Sequence, residues 1–114
     1  MLEKHIHLLI KYRVELVDDL LVDDVLPYLR SKLVLDGDDI DLIRAEQTPR
    51  RKAEKLLDIL PTKGFEAFNN FFDSLVEKYP QLAKILSEGV PEEKHAEMFD
   101  SIDSPLQRKY RNKF

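Results

Sequence analysis

An all-α fold, six helices joined by short loops around one core, is what this sequence predicts. Three observations predict it. Apolar residues recur at steps of three and four, as in Phe65, Phe68, Phe72, Leu75, Val76 and Tyr79, a spacing that a strand period of two cannot produce. Start and stop signals, among them Thr48-Pro49, Pro61, Pro80 and Gly89, divide that pattern into helix-length pieces. No stretch reads as a strand.

The chain is organised around Leu56 to Leu75, LLDILPTKGFEAFNNFFDSL, where two helical patterns meet at the break Pro61-Thr62-Lys63-Gly64. A stripe carrying three phenylalanines on one side has to be buried against other helices.

Taken in order, the first helix covers residues 4 to 21, with Ile6, Leu9, Ile10, Leu16, Val17 and Leu20 inward. It is long enough to bend around a core. One helix running on to residue 32 would hold Pro27 in its interior, at a cost of ~3 kcal/mol. A restart with Asp24 as N-cap puts Pro27 in a first turn, where its missing N–H is not needed. The second helix therefore covers about 24 to 32 and buries Val25, Leu26, Leu29 and, at its end, Leu33. Asp36-Gly37 is a turn, and Asp38 caps a third helix, with Asp41 in its first turn and its end near Glu46. Thr48 and Pro49 open the fourth helix, which runs to Leu60. The fifth runs from Phe65 to Tyr79 and the sixth from Pro80 to Glu88, with Gly89 as its C-terminal cap. Residues 1–89 thus form the domain. Residues 90–114 read as a linker or tail with a short seventh helix ending near Phe99 and a basic end, Arg108 to Lys113.

The length of 114 residues fits one domain, and 43% hydrophobic content fits a core of ordinary size. Without cysteine there is no disulfide, thiolate nucleophile or cysteine-based zinc site. Together with the lack of a signal-peptide pattern or a long apolar run, this leads to a cytoplasmic expectation, with the nucleus open. The net charge of −4 argues against nucleic acid as a first partner.

No catalytic constellation, cofactor loop or metal-ligand spacing stands out, so no enzyme is expected. His5 and His7 are two apart and point to different helix faces. The DGDD stretch at 36–39 lacks EF-hand spacing, since position 47, where the closing Glu would stand, is Gln.

The layout of charge is the functional signal. Between Glu15 and Asp41 stand nine acids and two bases; between Arg44 and Lys63, six bases and three acids. Arg50, Arg51, Lys52 and Lys55 crowd the start of the fourth helix, against its dipole. They serve either a solvated face or a binding surface. If the first and fourth helices pack side by side, Arg13 joins them in a basic patch. Asp23, Asp24, Asp36, Asp38, Asp39 and Asp41 form an acidic patch on the second and third helices. Such unlike patches allow head-to-tail self-association.

Several runs resemble the caspase recruitment domain (CARD) family of the death-fold superfamily over about residues 3 to 89. These are Tyr12-Arg13-Val14-Glu15-Leu16, Leu20-Leu21-Val22, Tyr28-Leu29 and, most specific, Leu56 to Pro61 followed by Lys63-Gly64, Ala67-Phe68, Phe71 and Asp73-Ser74-Leu75. Within the family the chain is most similar to the type found in an adaptor that joins a CARD to a death domain, and to initiator-caspase prodomains. The resemblance implies a six-helix antiparallel death-fold bundle without catalysis or cofactor. It implies a partner that is another CARD protein, an initiator caspase or adaptor. It also implies contact between a basic surface on helices one and four, matching Arg13 and Arg50 with Arg51, Lys52 and Lys55 near, and an acidic surface on helices two and three. Glu54 stands where some caspase prodomains carry a base, which trims the basic patch. Two alternatives stay open: a regulatory decoy that binds without recruiting a protease, and a helical nucleic-acid-binding domain.

Overall fold

The structure is a computed structural model and describes residues 1–90. The expected seventh helix and basic end lie outside the described residues. Within them the regular elements are all helices, with no strand. The elements are α1 (Glu3–Lys11), α2 (Arg13–Asp19), α3 (Leu26–Ser31), α4 (Gly37–Arg44), α5 (Pro49–Ile59), α6 (Ala67–Val76) and α7 (Pro80–Leu86). Short 3-10 turns at Val22–Asp24, Leu60–Thr62 and Ser87–Gly89 join or extend them.

The first predicted helix is bent at Tyr12, whose φ of −106° and ψ of 19° separate α1 from α2. The backbone ladder still runs through the bend, from the Tyr12 N–H to the Leu8 carbonyl and from the Leu16 N–H to the Tyr12 carbonyl. The bend changes which side of α1 faces inward. His5, Leu8 and Leu9 are buried, while Ile10, expected inside, is exposed. The chain then leaves helix at Leu20, whose backbone is extended.

Three local expectations are corrected. Asp24 is not the cap of α3: that helix starts from Val25 without a side-chain cap, and Pro27 still falls in its first turn. The Asp24 carboxylate is engaged elsewhere, accepting from the Tyr79 hydroxyl at 2.6 Å. α4 is capped by Asp36 rather than Asp38, because Asp36 and Asp39 form a reciprocal capping box. The Asp39 N–H donates to the Asp36 side chain at 2.9 Å, and the Asp36 N–H to the Asp39 side chain at 3.0 Å. Finally, Gly89 does not cap α7, which ends at Leu86 with Ser87 as its C-cap; it is buried within a 3-10 turn.

Thr48 and Pro49 open α5 as expected, the Thr48 hydroxyl accepting from the Arg51 N–H. At the central break Gly64 takes a φ of 99°, a left-handed conformation that glycine adopts without a Cβ penalty. That turn delays α6 to Ala67 and leaves Phe65, expected in the stripe, 62% exposed. The buried arc of α6 is instead Phe68, Phe71, Phe72 and Leu75, spacings of three, four and seven from the first. It packs against α3 and α7. α2 and α4 both lie against α5. Leu16, Leu56, Leu60 and Ile43 complete the core between them.

Candidate protein-interaction site

The packing of α2 on α5 brings together the N-terminal half of the predicted basic patch. Arg13, at the first position of α2, reaches across to α5. Its guanidinium donates to the Glu54 carbonyl at 3.3 Å and to the Asp58 carboxylate at 3.1 Å. Arg50, in the first turn of α5, reaches back to α2 and donates to Asp18 at 2.5 Å. Each arginine is thus held by an acid on the facing helix. Both acids are at least half exposed, and such surface pairs are worth ~0–1 kcal/mol. Arg51 and Lys55 border a shallow hollow with Glu46, Glu54 and Asp58, so this face carries both signs. Arg51, Lys52 and Lys55 form no ion pair among the described residues.

The predicted acidic residues divide into two kinds. Asp36 and Asp39 serve the fold. Asp39 is only 8% exposed and also pairs with Lys63 at 2.7 Å. Burial works to raise its carboxyl, but Lys63 and the Asp36 N–H outweigh burial and hold it below the usual range. Asp24 is tied to Lys78 and Tyr79, just after α6. The Tyr79 hydroxyl, then Lys78, hold its carboxyl below the ordinary value. Burial and the Asp24 charge raise the Tyr79 phenol in return. Asp38 and Asp41, three apart on α4 and therefore on one face, are exposed and form no ion pair among the described residues. Asp23 is exposed and meets Arg44 only at 3.8 Å. Of the six predicted acids, Asp38 and Asp41 therefore face solvent with no ion pair among the described residues, and Asp23 faces it beside Arg44.

Several participants carry no sequence signal. Asp18 and Asp58, which neutralise the two arginines, lie 32 and 45 residues from them, beyond any local periodicity. His5 is buried and stacks on Phe68, with ring centroids 4.1 Å apart and planes 4° from parallel. Its Nε2 lies 2.7 Å from the Gly89 carbonyl and donates to it. Burial lowers its pKa below the ordinary histidine value. Among the described residues no group of three or more His, Asp or Glu side chains could hold a metal ion. No described helix is long and apolar enough to cross a membrane.

In comparison with known families, the model described as "Caspase recruitment domain" (CARD) matches residues 6–89.

Proposed function

Because the chain belongs to the caspase recruitment domain family, a non-catalytic family whose members bind other CARD proteins in apoptotic and inflammatory signalling, we propose that it captures an initiator caspase or its adaptor through two oppositely charged faces. The basic face is Arg13 on α2 with Arg50, Arg51, Lys52 and Lys55 on α5. The acidic face is Asp23, Asp38 and Asp41, with Asp24, Asp36 and Asp39 holding its backbone in place. In this reading residues 1–89 are the interaction unit, residues 90–114 are a linker or tail, and the protein works in the cytoplasm.

The observation that supports the reading most is the crossing of α2 and α5. It sets Arg13 and Arg50 on one surface although they are 37 positions apart in the chain. Their counter-ions are exposed and weakly held, so a partner carboxylate can take their place. Unlike faces on one molecule also permit head-to-tail association of identical copies.

The test is the double reversal Arg13→Glu, Arg50→Glu. Helicity by circular dichroism should stay near wild type, since both side chains are at the surface. Binding to initiator-caspase CARDs and self-association by light scattering should both be lost. Unchanged binding with helicity intact refutes the charge-based reading.

A further inference from the structure

We propose that Leu33 is an apolar anchor at the edge of the acidic face, and that it seats beside Val14 on the basic face of a second copy of this chain. The inference rests on the head-to-tail reading above and names the contact that completes it.

Leu33 ends α3 in a left-handed conformation, with φ of 62°. The turn around it is complete. The Leu33 N–H donates to the Arg30 carbonyl at 3.1 Å and the Val34 N–H to the Leu29 carbonyl at 3.0 Å, a double cap closed by the buried pair Leu29 and Val34. This is the position where helices usually carry glycine, because a Cβ crowds the backbone there. Among described residues the chain has one other positive φ, at position 64, and there it does use glycine. Glycine at 33 would keep both hydrogen bonds and remove the strain. The leucine side chain adds nothing to the core, for it is 81% exposed, more than any other large apolar residue described. A strained residue whose side chain serves no internal contact points to a contact outside the molecule.

Charge says what that contact is. Leu33 stands on the loop that leads into α4, three to eight positions before Asp36, Asp38 and Asp41. The neighbouring Lys32 is drawn back over the Tyr28 ring, 5.4 Å from its centroid. The complementary surface on this same chain is α2 with α5. Val14 lies there, 62% exposed, next to Arg13 and one helical turn from Asp18, the acid that holds Arg50. Leu33, on the approach to the acids of α4 with Arg30 and Lys32 before it, therefore meets Val14, which adjoins Arg13 on α2. Burying such an anchor beside a charged contact supplies affinity that the screened ion pairs do not.

The experiment compares the full chain with Leu33→Gly, Leu33→Met and Arg50→Glu in sedimentation and light scattering, with a thermal melt for each. The expected result is self-association of the wild type. Leu33→Gly should weaken it by about tenfold or more, as removal of an anchor does, while its melting temperature is equal or higher. Leu33→Met should retain association. A wild type that stays monomeric at every concentration overturns the second copy as occupant. If Leu33→Gly associates like wild type while Arg50→Glu does not, the anchor is overturned and the charged faces stand. If both variants associate like wild type, the contact lies elsewhere and both readings fall.

Discussion

Replacing Gly89 with alanine should cost far more than the loss of one hydrogen atom suggests. A Cβ built at Gly89 would sit 2.7 and 2.8 Å from two atoms of the Phe68 ring and 2.9 Å from a Leu8 methyl. Carbon atoms pack best at about 3.5–4.0 Å, so the overlap is close to 1 Å. The Leu8 methyl can turn aside. The Phe68 ring cannot, because it is fully buried and His5 is stacked 4.1 Å from it. Overpacking of this kind costs roughly 1–3 kcal/mol. As the backbone is pushed away from the ring, the His5 bond to the Gly89 carbonyl is lost as well, about 1 kcal/mol more. The expected total is ~2–4 kcal/mol, a fall in melting temperature of about 10–20 °C for a domain of this size. Urea unfolding followed by circular dichroism measures it. Gly37→Ala is the control. Nothing lies within 4 Å of its built Cβ, and it opens α4, so alanine there should be neutral or stabilising by up to ~1 kcal/mol. A Gly89→Ala protein within ~0.5 kcal/mol of wild type, the usual range of a surface substitution, would refute the reasoning.

The same clasp predicts a pH dependence. Because burial lowers the folded pKa of His5, the unfolded chain takes up the proton first. Its contribution is complete above the ordinary histidine value of about 6.5 and is lost as pH falls below it towards the folded pKa. His5→Phe, which keeps an aromatic ring against Phe68, should flatten stability against pH as pH falls below the ordinary histidine value in urea melts, and an unchanged slope would assign the titration to another group. Tyr79→Phe should raise the Asp24 carboxyl toward its ordinary value, read by NMR titration, since the Tyr79 hydroxyl is the chief cause of its depression. A lowered Asp24 carboxyl supports the fold above the unfolded carboxylate range and loses that support as pH falls through the folded value. The Tyr79→Phe protein should therefore lose less stability than wild type on acidification, and an equal acid loss would argue against the pair.

What the sequence determined by itself is the part governed by local rules. Helical spacing and the signals at Thr48-Pro49, Pro61, Pro80 and Asp36-Gly37 depend on residues within one turn of each other. The all-helical bundle and the central break followed from them, while the first predicted helix divided in two at Tyr12. The errors were near the ends of helices, where two acids competed for one cap, as with Asp36 and Asp38, or where a distant partner claimed a side chain, as Tyr79 claimed Asp24. Tertiary structure alone decided how exposed each predicted charge is. Asp39 was as plausible a surface acid as Asp38 until α4 packed on α5 and Lys63 reached it, 24 residues along the chain. Gly89 looked like a helix stop and proved to be the space that the Phe68 ring fills against it. Phe65 and Phe71 exchanged places for the same reason. Periodicity gives the angle between residues of one helix, but not where the helix begins or which side its neighbours cover. Those depend on contacts between segments remote in sequence, and the left-handed turn at Gly64 and the walls of α3 and α7 settled them.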